Sequence, residues 1–193
     1  MLPGFDKNDF VSRRPVRLIN PSKTEIGRIS KVILDRVNGE IRNKLNLPQW
    51  RSTNDAISWF KNLEDNQERK LVKFDIISFY PSITRKLLLN AMHWAKEHTE
   101  MSEVEVATIL NARNTFLFRN KQPWIKKNEK GEKENFDVSM GSNDSSECSD
   151  LVGLYILAEI SKIISNGDGG LYKDDGIMAI KGSGPQIEKI KNK

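Results

Sequence analysis

The ten residues 171–180, LYKDDGIMAI, decide the fold, because they carry the strongest hairpin pattern in the chain. Two short apolar runs flank an acidic turn sequence, and Asp-Gly is a preferred dipeptide of tight turns between antiparallel strands. The sequence therefore predicts a strand, a turn at the Asp-Gly dipeptide of residues 175 and 176, and a second strand. Asp174 and Asp175 would lie at the tip of this hairpin.

A further candidate strand, residues 71–77 (LVKFDII), carries an acid among apolar neighbours. Asp75 lies between Phe74 and Ile76, and a carboxylate is costly to bury unless it is paired or binds a metal. If this strand and the hairpin belong to one sheet, Asp75 and Asp174 can converge on two divalent ions, and hard carboxylate oxygens suit magnesium. The alternative is that these acids are solvated turn residues, since Asp-Gly is a common turn dipeptide.

Two amphipathic helices are predicted before these strands. The first begins near Ser22, which forms a capping-box pattern with Glu25, and ends before Pro48. A shorter helix follows Asn54. The predicted buried residues of the first helix are Ile26, Ile29, Ile33, Val37, Ile41 and Leu45, and those of the second are Ile57, Phe60 and Leu63.

Three more helices and a second hairpin are predicted further along the chain. One helix covers residues 87–94, one follows Ser102, which forms another capping box with Glu105, and one covers residues 145–164. Gly131 in the charged segment NEKGEKE marks the tip of the second hairpin. Because helices and strands do not alternate regularly, the predicted class is α+β with an antiparallel sheet, not a doubly wound one.

Composition limits the functional classes. The chain has 193 residues, 37% of them hydrophobic, which is enough for one domain or slightly more with a real core. Lysine and arginine number 31 against 26 acids, and the net charge of +5 attracts polyanions moderately. Cys148 is the single cysteine, so no intramolecular disulfide forms, no zinc spacing is present, and a reducing intracellular compartment is expected. No targeting signal distinguishes nucleus from cytoplasm, and no apolar run approaches the roughly 20 residues of a membrane span.

Three segments together resemble the motifs of reverse transcriptases. FDIISFYPSI (74–83) resembles the first catalytic motif, VSMGS (138–142) the glycine motif, and LYKDDG (171–176) the Tyr-x-Asp-Asp motif. The segments occur in the order of the family, and three ordered motifs are more specific than one. The resemblance, which covers residues 13–193, is to reverse transcriptases of eukaryotic retroelements, the Penelope-like or a related group. It implies an RNA-directed DNA polymerase with partial fingers (1–70) and a catalytic palm (71–193), as a fragment that ends before the thumb.

The resemblance implies a role for each matching acid. Asp75 and Asp174 would hold two magnesium ions, which manganese can replace, with Asp175 beside them and the carbonyl of Ile76 completing one site. The implied partners are an RNA template, a DNA primer and a deoxynucleoside triphosphate. The implied reaction is nucleotidyl transfer.

Four further residues match substrate-binding positions of the family. Tyr80 matches the aromatic residue under the incoming sugar, Gly141 and Ser142 match the backbone beside the nascent base pair, and Arg17 matches the arginine that clamps the triphosphate. The alternatives are a core tyrosine, an ordinary turn glycine and a solvated basic edge.

Two other interpretations stay open. DIISFYPSI also resembles the Asp-x-x-Ser-Leu-Tyr-Pro-Ser motif of family B DNA polymerases, but the Lys and Tyr-Gly helix signature of that family is absent between the acidic sites. Its acidic hairpin would also contain Asp-Thr-Asp. The other interpretation is a non-catalytic nucleic-acid-binding remnant, in which the acids survive but the truncated chain has lost turnover. Lys173 stands where the family has a small or apolar residue, and its alternatives are a contact with a phosphate and a mark of decay. The glycine motif also departs from the family, with Met140 before it and no proline after it.

Overall fold

The computed structural model describes residues 19, 23–64, 69–114, 117–119, 121–124, 126–127, 131, 133–134, 136–162 and 169–180. Contacts divide the chain into a first unit, Met1–Ile41 with Ser78–Val152, and a second unit, Arg42–Ile77 with Gly153–Lys193. The assignment of residues 1–70 to fingers and 71–193 to palm stays a prediction. The helices and strands, in chain order, are α1 (Glu25–Leu45), α2 (Thr53–Lys61), β1 (Lys70–Asp75), α3 (Phe79–Ser82), α4 (Arg85–Lys96), α5 (Glu103–Ala112), β2 (Leu117–Arg119), β3 (Gln122–Trp124), β4 (Lys126–Lys127), β5 (Lys133–Glu134), α6 (Ser145–Ser161), β6 (Gly169–Tyr172) and β7 (Asp175–Ile180).

The predicted α+β class is confirmed. Strands β1, β7 and β6 form one antiparallel sheet in that order, and β2–β3 and β4–β5 form two small antiparallel pairs. The β4–β5 pair flanks Gly131, as the charged hairpin predicted, whereas the β2–β3 pair was not predicted. None of the described helices is long and apolar enough to cross a membrane.

The buried face of helix α1 overlaps the predicted one in part, since Val37 and Ile41 are buried as predicted. Its Thr24 cap accepts a hydrogen bond from the Gly27 amide at 3.1 Å, and Ser22 lies outside the described residues. Ile26 and Ile29 are exposed, so their predicted burial is wrong. The buried residues are Gly27, Ser30, Leu34, Val37, Asn38 and Ile41. Ser30 and Asn38 are buried in this face because they have polar partners inside the first unit, Asp144 and Glu147.

The other helices of the first unit follow the predicted pattern more closely. Helix α5 begins at the predicted capping box of Ser102 and Glu105 and buries Val106, Ile109 and Leu110. Helix α4 buries Leu88, Ala91, Met92 and Ala95, while Leu87 and Trp94 are half-buried. Helix α6 begins at Ser145 and ends at Ser161, shorter than the predicted range. Its buried residues include Cys148 and Val152, as predicted, whereas Tyr155 is half-buried and Ile163 lies outside the described residues.

The burial of Cys148 gives a chemical prediction. Removal from water raises the pKa of this thiol from the ordinary 9.0 to about 11, despite the opposing charge of Arg113. Since the thiolate is the reactive form, the native chain should react with a thiol reagent at pH 8 about a hundredfold more slowly than the unfolded chain. The unfolded state loses its proton first, so the contribution of this group to stability should decrease as the pH rises from 9 towards 11. Absorbance of a disulfide reagent, with and without urea, measures the rate ratio, and equal rates would contradict the burial.

In the second unit, helix α2 does not bury the residues that were predicted. It begins at a capping box formed by Ser52 and Asp55, but none of its residues is buried. Ile57 and Phe60 are 46% and 43% exposed, so their predicted burial is wrong, and Leu63 is half-buried. An aromatic contact holds the helix in place, with the ring centroids of Trp59 and Trp50 5.2 Å apart.

The segment before α2 covers the free edge of β6. The Trp50 amide donates to the Leu171 carbonyl at 2.8 Å, and the Leu171 amide donates to the Pro48 carbonyl at 3.0 Å. A strand edge presents unpaired amides and carbonyls, and these two bonds satisfy both groups of Leu171. The edge next to the acidic turn is thereby fixed to the segment that leaves α1.

The two faces of the three-stranded sheet have different surroundings. On one face, the side chain of Leu171 is fully buried. It lies 3.4 Å from the position that a Cβ added to Gly153 of α6 would take. On the other face, the residues nearest the turn, Asp75, Asp175 and Tyr172, are exposed. The sheet therefore presents its acids on an open surface and packs its opposite face against a helix.

Candidate active site

The acids at the ends of β1 and β7 lie in one row of the sheet. Asp75 is directly opposite Asp175, and Asp175 is directly opposite Tyr172 of β6. The Ile76 amide donates to the Asp174 carbonyl at 2.9 Å. This bond connects the residue after Asp75 to the residue before Asp175, so the two acids form a non-hydrogen-bonded pair, in which Cα atoms are about 4.5 Å apart. Their side chains therefore leave the same face at the shortest cross-strand separation that a sheet offers.

Two like charges directly opposite each other destabilise a sheet, so a cation beside this row stabilises it. One is supplied by the chain. Lys73, two residues before Asp75 on β1, places its Nζ 3.1 Å from Oδ1 of Asp175. The ion pair is exposed and compensates one of the two carboxylates.

The donors of this row fit a magnesium ion in chemical type. Oxygens that share one magnesium ion lie at most about 4 Å apart, because each bond is about 2.0–2.1 Å long. Within the described part of the chain, however, no three or more His, Cys, Asp and Glu side chains form a group able to hold a metal ion. The residue opposite Asp75 is Asp175, while Asp174 lies in the turn. The metal-binding roles of the three acids remain predictions.

The turn between β6 and β7 differs from the predicted one. It consists of Lys173 and Asp174, whereas Asp175 and Gly176 belong to β7. Lys173 has φ 56°, in the left-handed region that favours glycine. A non-glycine residue in this region costs about 1–2 kcal/mol, and such strain is concentrated at functional sites. The strained residue immediately precedes the acidic pair.

Gly176 is required inside the strand because an aromatic ring covers it. A Cβ at this position would lie 2.0 Å from Cζ of Phe74, its register partner on β1. Gly170 is similar, since a Cβ there would lie 2.5 Å from the Trp50 ring. These two rings limit how closely β7 and β6 can approach their neighbours. They thereby fix the position of the opposed acids Asp75 and Asp175, which we call the acid row.

The glycine motif lies in the first unit, where Val138 and Ser139 are buried and Gly141 is exposed. Gly141 has φ 97°, a conformation that side chains rarely adopt. The Ser142 hydroxyl donates to the Ser139 carbonyl at 3.2 Å and accepts from Nη1 of Arg113 at 3.2 Å. The loop is thus tied to a buried guanidinium at the end of α5.

Arg113 and Asp144 form a buried ion pair, with 2% and 0% of their side chains exposed. The Ser30 hydroxyl of α1 donates to the other oxygen of Asp144, and the Asp137 amide donates to the Arg113 carbonyl at 3.0 Å. Burial lowers the pKa of the Arg113 guanidinium, against the opposing effect of nearby acids, and arginine remains charged at any ordinary pH. Nε of Arg113 has no hydrogen-bond partner among the described residues. The pair connects α1, α5 and the beginning of α6.

A second polar contact explains the burial of Asn38. Its side-chain amide donates to the Glu147 carbonyl at 3.0 Å, and Lys31 pairs with the Glu147 carboxylate at 2.6 Å. The buried stripe of α1 therefore includes polar contacts with the first turn of α6 beside its apolar residues. Neither these contacts nor the Arg113–Asp144 pair was predicted, because no local pattern connects residues so far apart in sequence.

Tyr80 is half-buried on α3 in the first unit. Its hydroxyl lies 3.5 Å from that of Ser149, which donates at 2.7 Å to the Ser146 carbonyl. The structure thus groups Asp75, Ile76, Asp174 and Asp175 in the second unit, and Tyr80, Gly141 and Ser142 belong to the first. Arg17 lies outside the described residues.

Comparison with known proteins gives similarity at the level of structure alone. No family model and no curated protein sequence matches the chain. The structure of apo telomerase from Candida tropicalis, truncated from its C-terminal domain, matches with a TM-score of 0.54 and 18% identity, covering 85% of this chain and 36% of the telomerase. Telomerase from Candida albicans, in complex with a fragment of telomeric RNA, matches with a TM-score of 0.55 and 11% identity, covering 86% and 32%. The chain spans about a third of each telomerase chain, and its fold is reverse-transcriptase-like.

Proposed function

We propose that this chain carries the nucleotidyl-transferring centre of a reverse transcriptase, which extends a DNA primer along an RNA template with deoxynucleoside triphosphates. The observation that supports the proposal most is the acid row: Asp75 and Asp175 are opposed on the open face of the sheet, at the end of a hairpin with the Tyr-x-Asp-Asp pattern. The reverse-transcriptase-like fold supports it independently of the motifs. The three motifs favour a retroelement as the source.

In this proposal the chain supplies oxygen ligands from the ends of two paired strands. Asp75 and Asp174 would hold two magnesium ions, manganese being an alternative, the Ile76 carbonyl would complete one site, and Asp175 would add negative charge beside them. Bound divalent ions activate the primer hydroxyl and stabilise the charge of the leaving pyrophosphate. The β1–β7 ladder holds the acids in place, and the Ile76 to Asp174 hydrogen bond keeps the turn against the end of β1.

The substrate-binding roles are proposed from the motifs. Tyr80 would lie under the sugar of the incoming nucleotide, and Gly141 with Ser142 would face the nascent base pair, where a left-handed glycine leaves room for close approach of the backbone. Arg17 would clamp the triphosphate with its bidentate guanidinium. The hydrogen bond from Arg113 to Ser142 gives this loop a rigid support.

Primer extension on an RNA template tests the proposal. Asp174→Ala and Asp75→Asn should each lower the rate of incorporation by at least about a hundredfold, because even partners of metal ligands contribute 10–100-fold. Asp35→Ala is the matched control, since it removes an exposed acid of α1 whose partner among the described residues is Lys31, in a surface ion pair. The control should retain the rate of the unsubstituted chain, with magnesium and with manganese. Incorporation that survives in Asp174→Ala would disprove the assignment.

The second candidate function is a non-catalytic nucleic-acid-binding remnant. It is favoured by the ion pair that engages Asp175 and by the absence of a three-residue metal-binding group among the described residues. A remnant would bind an RNA–DNA duplex, as judged by fluorescence anisotropy, without incorporation under any metal condition. The family B alternative receives no support from the two telomerase neighbours.

A further inference from the structure

The ammonium group of Lys73 lies beside the carboxylate of Asp175, on the face of the sheet that carries the acid row. Lys73 precedes Asp75 by two residues, so both side chains leave β1 on the same face of the sheet. Its register partner is Ile177, which puts Asp175 diagonally across from it. The 3.1 Å contact joins Nζ of Lys73 to Oδ1 of Asp175, with 71% and 55% of the two side chains exposed.

This contact has the form of a cation bound to one oxygen of the acid row. The ammonium group offsets the negative charge that Asp175 contributes beside the metal-binding acids. The ammonium also repels any divalent ion near Asp75 and Asp175 by direct Coulomb interaction. Exposed ion pairs are weak, so the lysine can be displaced, but the displacement reduces the affinity for the metal.

We propose that Lys73 is the internal counter-ion of the acid row, and that its charge beside Asp175 opposes the divalent ion held by Asp75 and Asp174 and thereby lowers the metal affinity of the site. The proposal rests on the proposed function for the existence of the metal site. It adds that the metal-free chain is charge-compensated by its own residue, so the acids stay opposed in a stable sheet before any ion binds. Lys73 acts through Asp175 and is a positioning residue, not a catalytic one.

The same strand provides a matched control. Lys70 is also an exposed lysine of β1, but its register partner is Ile180 at the opposite end of the strand. It lies an odd number of residues from Lys73, so it leaves the opposite face of the sheet. Removing either lysine changes the net charge equally, and only Lys73 contacts the acid row.

The experiment is a titration of the chain with Mn²⁺, followed by the electron paramagnetic resonance signal of the free ion. Lys73→Met should bind Mn²⁺ about three- to tenfold more tightly than the unsubstituted chain, as expected for loss of one positive charge beside a divalent ion. Lys73→Arg, which keeps the charge, and Lys70→Met should stay within about twofold. In an Asp175→Asn background, Lys73→Met should give a clearly smaller gain, because the carboxylate that holds the ammonium group beside the acid row is absent.

Each outcome decides between the two proposals. If Asp75→Asn weakens Mn²⁺ binding but Lys73→Met leaves it unchanged, the metal site stands and the role of Lys73 is refuted. Equal gains in Lys73→Met and Lys70→Met would also refute it, since they would reflect net charge alone. If no variant binds Mn²⁺ in a manner that depends on Asp75, the metal site itself is refuted. The proposed effect of Lys73 on its affinity is then refuted too. Lys73 is exposed, so its substitution should not disturb folding, and circular dichroism checks this.

Discussion

Replacement of Asp144 by alanine should lower the free energy of unfolding by about 3–5 kcal/mol, because it leaves the Arg113 guanidinium buried without its counter-charge. Both side chains are almost completely excluded from water, and the carboxylate also accepts from Ser30. A buried charge that loses its partner retains the cost of desolvation without the compensating attraction. Urea denaturation followed by tryptophan fluorescence measures the change.

Two variants make this prediction specific. Asp35→Ala removes an exposed partner of Lys31 and should cost less than about 1 kcal/mol, as surface ion pairs do. The double replacement Arg113→Met with Asp144→Leu should recover much of the lost stability, since apolar residues of similar volume often replace a buried ion pair without loss. A loss in Asp144→Ala no larger than that in Asp35→Ala would show that the guanidinium reaches water in solution.

The pair also matters for the glycine motif. Arg113 donates to Ser142 with one nitrogen and to Asp144 with another, so the loop that carries Gly141 shares the arginine that supports the beginning of α6. Loss of Asp144 frees that arginine and loosens the loop. A destabilised first unit and a displaced glycine motif should therefore appear together.

The hairpin shows how far local sequence determines the fold. Its existence was predicted, because it is encoded by short apolar runs beside turn residues. Its antiparallel pairing with the strand of Asp75 was only a condition of the metal-site hypothesis, and the structure shows it. The turn was placed two residues too late. Asp-Gly is a strong local turn signal, but Gly176 is needed in the strand, where the Phe74 ring leaves no room for a side chain. A distant aromatic residue thus overrode the preference of the dipeptide.

Helix α1 shows a different limit. Apolar periodicity assumes that polar residues face water, and on that assumption Ile26 and Ile29 were predicted to be buried. Ser30 and Asn38 are buried instead, because their partners Asp144 and Glu147 come from the beginning of α6, more than a hundred residues further along the chain. A single sequence gives no signal for such a partner.

For the acid row, the motifs predicted which acids are involved but not which of them are paired. Asp75 and the acidic pair were identified from an acid in an apolar strand and from the motif resemblance. The resemblance pairs Asp75 with Asp174, whereas the register places Asp175 opposite it. Lys73 could have been identified, since it precedes Asp75 by two residues and so shares its face, but its partner becomes evident only once the register is known.

The last prediction concerns the ring that fixes this register. Gly176→Ala should lower the free energy of unfolding by about 3 kcal/mol, at the upper end of the cost of overpacking, because the new Cβ would lie 2.0 Å from Phe74. The ring must then leave β7, and the separation of Asp75 and Asp175 changes with it. Gly39→Ala is the matched control, since nothing lies within 4 Å of a Cβ at Gly39 in the middle of α1, and it should stabilise the chain by about 0.5–1 kcal/mol.

A compensating change separates the steric cause from a general intolerance of the strand to substitution. Phe74→Leu added to Gly176→Ala should restore part of the stability, because the smaller side chain leaves room for the methyl group, and the two changes should be non-additive. The single variant Gly176→Ala should also weaken Mn²⁺ binding, since the acids are then no longer held at the separation that the ladder imposes. Stability lost equally in the single and double variants would mean that glycine is required at position 176 for its backbone and not for the ring above it.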